Sequence, residues 1–109
     1  AKVWELKLPV ITMLLHDLDW QFEYPFWHTK KGKYTLTPKE VLAHPKMYEE
    51  EYARIQRANL AHPVDIMKNK KGMWECLDGL HRVAKAKLLG LREVNVRKVP
   101  AEMRSLITP

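Results

Sequence analysis

A run of five residues in the second half of the chain has the types and spacing to bind an anion. The run is Asp78-Gly79-Leu80-His81-Arg82, and it lies where a strand pattern changes to a helix pattern. The first turn of a helix leaves backbone N–H groups without intrahelical partners, and these groups and the helix dipole attract phosphate. Gly79 would let a ligand approach the backbone, while His81 and Arg82 add side-chain donors. The segment therefore predicts a site for a phosphate-bearing ligand.

Asp78 is the member of this run that does not fit a simple phosphate site, because its carboxylate would repel the anion. A divalent cation that joins Asp78 to the phosphate would remove the repulsion, and so would a capping role that turns Asp78 aside. The run also fits an ordinary helix start without a ligand, in which Asp78 caps the helix, Gly79 turns the chain and the last two residues are exposed. Spacing alone leaves these alternatives open.

A second group of candidate residues lies in the acidic and aromatic stretch His16–Trp27. Phosphoryl transfer needs a carboxylate that accepts a hydroxyl proton and others that hold Mg²⁺. Asp17, Asp19 and Glu23 are candidates for these roles, and the same acids would suit metal-assisted cleavage of a phosphodiester. Three aromatic residues of the stretch could stack on a base or simply complete the core, namely Trp20, Phe26 and Trp27.

The elements around the turn can be read from hydrophobic periodicity. Val64–Lys68 and Met73–Leu77 predict two strands joined by a turn at 69–72. A helix is expected from Leu80 to Leu89, ended by Gly90 in a left-handed conformation. Its inner face would carry Leu80, Val83, Ala84 and Leu88. Glu93–Val99 predicts a last strand, which Pro100 ends.

Two helices are expected before the hairpin. Thr37-Pro38-Lys39-Glu40 contains a capping box with proline at the first helical position, and Pro45 ends that helix. In the second helix Tyr48, Tyr52, Ile55 and Asn59 share one face, and the acids Glu49, Glu50 and Glu51 lie outside.

The first third of the chain has weaker patterns. Val3–Leu8 alternates like a half-buried strand, and Val10–Leu15 could form a short helix or a turn. We expect a structured loop over His16–Trp27 and an exposed turn at Lys30–Lys33. The tail 101–109 is either a terminal helix or cut from a longer protein. The whole sequence thus predicts a single small α+β domain over residues 1–109.

Composition limits the classes of protein that fit. The chain has 109 residues, of which 46% are hydrophobic and 29% charged, as in an ordinary globular domain. Its formal charge of +6 favours anionic partners, including nucleic acid. Cys76 is the single cysteine, so neither an internal disulfide nor a cysteine zinc cluster can form. The longest apolar stretch, Leu8–Leu15, is too short to cross a bilayer, and no signal peptide is evident. We therefore expect a cytoplasmic protein without a membrane partner.

The segment Val64–Val99 resembles the ParB/sulfiredoxin superfamily, also called the ParB-like nuclease domain. The resemblance covers about a third of the chain and rests on the order and spacing of its motifs: Pro63-Val64, Leu77-Asp78-Gly79-Leu80-His81-Arg82, Ala84, Ala86, Leu89-Gly90 and Val94-Asn95-Val96. It implies a mixed sheet with helices packed on it.

The branches of this superfamily use the turn differently. Sulfiredoxins place a catalytic cysteine just before His-Arg, where this chain has Leu80, and Cys76 lies back in the strand, so sulfinic acid reduction is not expected. Chromosome-partitioning ParB proteins bind CTP phosphates at the turn and carry a helix-turn-helix domain, for which this chain has no room. Free-serine kinases use an Asp-Gly-x-His-Arg turn like this one for nucleotide phosphates, with an acidic residue of an early loop as base.

The resemblance implies a nucleotide- or phosphate-binding domain that transfers a phosphoryl group or hydrolyses a nucleotide, with Mg²⁺ and ATP, ADP or CTP. The predicted ligand-binding residues are Asp78, Gly79, Leu80, His81 and Arg82. Asp78 is also the predicted metal ligand, and the predicted catalytic residues are Asp19, Glu23 and His81. A DNA-binding or nuclease module and a non-catalytic interaction domain are the alternatives.

Overall fold

The computed structural model describes residues 5–29 and 32–106, and within them a sheet of four strands, a separate two-stranded hairpin and helices form an α+β fold. The strands are β1 (Ile11–Leu14), β2 (Trp27–Thr29), β3 (Gly32–Leu36), β4 (Val64–Lys68), β5 (Trp74–Asp78) and β6 (Glu93–Lys98). The α-helices are α1 (Pro38–Ala43), α2 (Glu49–Arg57) and α3 (Leu80–Leu88). Short 3₁₀ helices span Leu15–Asp17, Asp19–Glu23 and Ala101–Leu106.

The four-stranded sheet is mixed, with the strand order β1-β6-β4-β5. β1 runs antiparallel to β6, β4 parallel to β6, and β5 antiparallel to β4. The predicted α+β class and the mixed sheet are therefore confirmed. In the predicted turn between β4 and β5, the Asn69 side chain accepts hydrogen bonds from the N–H groups of Lys71 and Met73, and Gly72 has a φ of +79°.

Most predicted elements from Thr37 onward are present. In the capping box of α1, Thr37 Oγ1 accepts a hydrogen bond from Glu40 N, and Thr37 N donates one to Glu40 Oε1. β5 begins and ends one residue later than predicted, and α3 ends before Gly90, which has a φ of +72°. The tail forms a 3₁₀ helix over Ala101–Leu106, in agreement with the prediction of a terminal helix.

The face of α3 toward the core differs in one position from the prediction. Val83 and Ala84 are fully buried as expected, but Leu88 is 41% exposed and Ala86 is fully buried instead. The reason is that α3 contacts the strands β4 and β6 on one side and the helices α1 and α2 on another. Its buried arc is therefore wider than a single stripe and reaches Ala86.

The first third of the chain was predicted incorrectly. Ile11–Leu14, expected as a helix or turn, is the edge strand β1, because its backbone pairs with β6. No strand lies in the described part of Val3–Leu8, namely residues 5–8, but Leu6 and Leu8 pack against the buried Met67 and Val99. The alternating pattern therefore marks Leu6 and Leu8 correctly as half-buried side chains, although they do not lie in a strand.

The predicted loop and turn that follow are also more regular than expected. His16–Trp27 contains the 3₁₀ helix Asp19–Glu23 and most of the 3₁₀ helix Leu15–Asp17. Trp27 begins the hairpin of β2 and β3, which was not predicted. Gly32, expected in an exposed turn, begins β3 with a φ of +143°; Lys30 and Lys31 of that turn lie outside the described residues.

Candidate functional site

The strand β5 and the helix α3 are joined by Gly79, which has a φ of +114°. Its carbonyl accepts hydrogen bonds from the N–H groups of Arg82 (2.9 Å) and Val83 (3.1 Å), which starts the helix. A Cβ atom at this position would lie 3.3 Å from Val64 Cα and 3.3 Å from Val64 Cγ1. The turn therefore needs glycine for its backbone conformation and for its close approach to β4.

Asp78 does not cap α3. The N-cap residue is Gly79, and no side chain makes a capping hydrogen bond there. The expected alternative in which Asp78 caps the helix is therefore wrong. No side chain therefore occupies the N–H groups of Leu80 and His81 at the start of α3, whereas the N–H of Arg82 bonds to the Gly79 carbonyl. Asp78 itself is exposed at the end of β5.

His81 is held by side chains from two other elements. Its ring stacks on the ring of Trp27 in β2, with centroids 4.4 Å apart and planes inclined by 11°. Its Nε2 atom lies 2.7 Å from Oε2 of Glu51 in α2. The exposed fractions of the two side chains are 30% for His81 and 12% for Glu51. The imidazole thus has a defined position and one protected hydrogen bond.

Glu51 is a site residue that sequence reasoning missed. We expected it on the outer face of α2, but its side chain is turned toward α3, because those two helices pack together. Its second oxygen, Oε1, accepts a hydrogen bond of 3.2 Å from Arg54 Nη1. Its spacing of three residues after Tyr48 and four before Ile55 matches the inner face of a helix, and that signal could have identified it.

Arg82 is fixed against the start of β4. Its Nη1 atom donates a hydrogen bond of 2.9 Å to the carbonyl of Pro63. The same atom would lie 3.1 Å from a Cβ on Gly79, so the guanidinium rests on the glycine backbone. Since a guanidinium has five N–H donors, this contact orients Arg82 and leaves donors for an anion.

An open cleft of about 340 Å³ lies beside the turn. It is lined by residues from α2, from the segment that follows α2 and from the turn: Arg54, Arg57, Ala58, Asn59, His62, Asp78, Gly79, His81 and Arg82. Sequence reasoning did not identify Arg54 and Arg57, although they follow Glu51 at successive intervals of three residues, which puts them on one side of α2. Leu80 is not among the lining residues; it is half-buried and packs on the main core.

Asp19 and Glu23 are placed elsewhere. Asp19 Oδ2 lies 3.9 Å from His16 Nδ1, and Glu23 Oε1 lies 3.5 Å from Lys39 Nζ. Neither acid lines the cleft. Their 3₁₀ helix packs on β5, where Trp20 Nε1 donates a hydrogen bond of 2.9 Å to the carbonyl of Trp74. Their catalytic role stays a prediction.

Cys76 lies beneath the same 3₁₀ helix. Its N–H donates a hydrogen bond of 2.7 Å to Oε1 of the buried Gln21. Desolvation by burial raises the pKa of the Cys76 thiol to about 12, against a partial opposing effect of the hydrogen bond with Gln21. The thiol is therefore protonated at neutral pH and is a poor nucleophile.

A metal ion bound by Asp78 would have few other ligands from the protein. Within residues 5–29 and 32–106, no group of three or more His, Cys, Asp or Glu side chains could hold a metal ion. Mg²⁺ is usually bound through one or two carboxylates together with substrate phosphates, so a single exposed aspartate suits a metal that arrives with a nucleotide. The Mg²⁺ site at Asp78 stays a prediction.

Asp65 and Arg97 form a buried ion pair that sequence reasoning also missed. Arg97 Nε donates a hydrogen bond of 2.6 Å to Asp65 Oδ1, and the two side chains are 11% exposed for Arg97 and 4% for Asp65. Arg97 also donates to the carbonyl of Leu6 through Nη1. Asp65 is the register partner of Asp78 across β4 and β5, so the ion pair joins β6 to β4, the strand beside the one that ends at the turn.

No family model matches the chain, and no curated protein matches it in sequence. The chain is similar to the crystal structure of sulfiredoxin from Arabidopsis thaliana, with a TM-score of 0.43 and 18% sequence identity over 90% of this chain and 94% of that chain. In the described part of the chain, no helix has the length and apolar character to span a membrane.

Proposed function

We propose that this protein binds a nucleotide or another phosphorylated small molecule in the cleft beside Gly79. The observation that carries the proposal is the convergence of the uncapped start of α3 with the guanidinium groups of Arg54, Arg57 and Arg82 on one cleft. Backbone N–H groups at a helix start and arginine side chains are both typical ligands of phosphate. A single phosphate needs fewer donors, so a diphosphate or triphosphate fits best.

Arg57 is the strongest candidate for direct contact with the ligand. The Arg54 side chain donates a hydrogen bond to Glu51, and the Arg82 side chain donates one to the carbonyl of Pro63. Arg57, by contrast, is exposed, and its side chain makes no hydrogen bond or ion pair with any residue in the described part of the chain. An arginine without a protein partner keeps its planar pair of donors for two oxygens of one phosphate.

The proposed ligands are ATP, ADP or CTP with Mg²⁺. Asp78 would hold the cation on the rim of the cleft, and the cation would offset the repulsion between this carboxylate and the phosphates. Phosphoryl transfer or nucleotide hydrolysis would then need a general base near the terminal phosphate of the nucleotide. His81 lines the cleft, whereas Asp19 and Glu23 would have to approach it from the neighbouring 3₁₀ helix.

Calorimetric titration with ATP, ADP, CTP and inorganic phosphate, each with and without Mg²⁺, tests the proposal. Wild-type protein should bind at least one nucleotide more tightly in the presence of Mg²⁺. Arg57→Gln should weaken that binding by about 10-fold or more, as expected for a lost charge-assisted hydrogen bond of roughly 1.5–3 kcal/mol. Arg92→Gln is the matched control, because Arg92 is exposed and does not line the cleft.

Equal losses in the two variants would contradict a specific role for Arg57. No binding of any of these ligands by the wild-type protein would overturn the proposed function itself.

Nucleic-acid binding is a second candidate, favoured by a different surface. Lys98 Nζ lies 4.8 Å and Lys68 Nζ 5.5 Å from the ring centroid of Trp74. Both lysines are exposed, and Lys70 and Lys71 lie in the adjacent exposed turn. Lysines beside an aromatic ring suit a backbone phosphate with a stacked base. Trp74 is four residues before Asp78 along β5, roughly 13 Å at strand spacing, so this surface is distinct from the cleft.

Fluorescence anisotropy with a single-stranded oligonucleotide separates this candidate from the first. If the oligonucleotide binds at this surface, its affinity should fall steeply as the salt concentration rises. The affinity should also be lower for Lys68→Gln/Lys98→Gln than for the wild-type protein. The control is Lys46→Gln/Lys87→Gln, which removes the same charge from exposed positions elsewhere. Equal weakening in both double variants would show that only net charge matters.

A further inference from the structure

We propose that His81 accepts a hydrogen bond from a hydroxyl group of the phosphorylated ligand through its Nδ1 atom. Glu51 is then the positioning residue that keeps the imidazole proton on the opposite nitrogen. The inference rests on the proposed function, because it concerns the same cleft. It narrows the ligand to phosphate esters that carry a hydroxyl group near the phosphate.

The first step concerns the position of the imidazole proton. Glu51 accepts a hydrogen bond from Arg54 at Oε1 and lies 2.7 Å from His81 Nε2 at Oε2. An ionised carboxylate can only accept, so the hydrogen between these two atoms belongs to Nε2. In a neutral imidazole the other nitrogen is then an acceptor. Glu51 therefore fixes the tautomer in which Nδ1 carries no proton.

The second step concerns what Nδ1 can reach. One face of the ring is covered by Trp27, and Nε2 is occupied by Glu51. His81 lines the cleft, and no side chain or backbone group in the described part of the chain bonds to its Nδ1. The stacking contact fixes the plane of the ring, and the bond with Glu51 fixes which nitrogen faces α2. Nδ1 is therefore the polar atom that this residue leaves for a ligand.

The third step concerns the chemistry of the partner. A phosphate oxygen is an acceptor and makes no hydrogen bond with an unprotonated nitrogen. The phosphate is expected at Arg57 and Arg82, which donate only, while Nδ1 needs a donor from the same ligand. A hydroxyl close to a phosphate ester provides both groups, as in sugar phosphates, glycerol phosphates and nucleotides. Simple alkyl phosphates, whose second pKa is about 6, are dianions at pH 8 and provide acceptors alone.

The test compares two ligands of equal charge and carbon count, glycerol 3-phosphate and n-propyl phosphate, by calorimetry at pH 8. Histidine is mostly neutral at that pH. Wild-type protein should bind glycerol 3-phosphate about 3- to 10-fold more tightly, the range expected for one net hydrogen bond. Glu51→Gln should remove this preference, because an amide can donate to Nε2 as well as accept from it.

Glu50→Gln is the matched control, since Glu50 is the exposed neighbour of Glu51 in α2 and has no partner among the described residues. It should keep the preference. If the wild-type protein binds both ligands equally, the inference is wrong and the proposed function stands. If it binds neither these esters nor any nucleotide, the proposed function fails. A preference that persists in Glu51→Gln would exclude the positioning role.

The tautomer can be checked without any ligand. Long-range ¹H–¹⁵N spectra of wild-type protein should show His81 protonated on Nε2 at pH 8, and Glu51→Gln should show a mixture of both tautomers. A proton on Nδ1 in the wild-type protein would overturn the inference even if the variant does not fold. A merely structural contact would lower the stability of the variant and leave the ratio of the two ligand affinities unchanged.

Discussion

At the residue scale, position 79 requires glycine for two separate reasons. Its φ of +114° lies in a region that residues with a Cβ rarely adopt, and its Cα faces Val64 and the guanidinium of Arg82. The conformation sets the start of α3, and the close approach brings Arg82 against the turn. One residue therefore controls both the N–H groups and the side chain that we propose for phosphate binding.

Gly79→Ala is expected to destabilise the protein by about 1–3 kcal/mol through backbone strain, with an added cost because the new Cβ meets Val64 and Arg82. Gly72→Ala is the matched control, because Gly72 has a φ of +79° and a Cβ added there would have no neighbouring atom within 4 Å. Urea denaturation should show a larger loss for Gly79→Ala. A loss no larger than that of Gly72→Ala would mean that the close approach contributes nothing.

At the scale of elements, prediction succeeded where the signal is local. The capping box at Thr37, the turn at 69–72 and the helix start after Gly79 are each determined by neighbouring residues. It failed where pairing partners are distant in sequence. β1 is a strand because it pairs with β6, near the other end of the chain, and the pattern of Ile11–Leu14 contains no sign of that partner.

The candidate site shows the same division between local and distant information. The turn Asp78–Arg82 could be identified because its members are consecutive. Glu51 and Trp27 come from α2 and β2, and only the packing of those elements on α3 brings them to His81. Arg54 and Arg57 join the cleft for the same reason. Periodicity can assign these arginines to one face of α2. It does not show that this face will pack beside the start of α3.

At the scale of the whole molecule, the sheet has two faces with different coverings. The helices and the main core cover one face, with Val64, Ile66 and Val96 buried. On the other, Met67 and Val99 form a smaller cluster with Leu6, Leu8 and Met103 of the terminal segments. The Asp65–Arg97 pair alternates along β4 and β6 with the residues of the main core, and Arg97 binds the carbonyl of Leu6. Arg97 therefore links the segment around Leu6 to the sheet.

Asp65→Asn tests how far the stability of the molecule depends on this contact. The substitution removes the carboxylate charge that Arg97 Nε binds, and removing one charge of a buried ion pair costs about 3–5 kcal/mol. Glu75→Gln is the control in the same sheet, because its pair with Arg104 spans 3.9 Å between partly exposed side chains and should contribute about 1 kcal/mol or less. Urea denaturation of both variants gives the two free energies of unfolding. Similar losses would show that Arg97 is stabilised by water or another acceptor when Asp65 is replaced by the neutral asparagine. The packing of Leu6 and Leu8 on the sheet would then not depend on the ion pair.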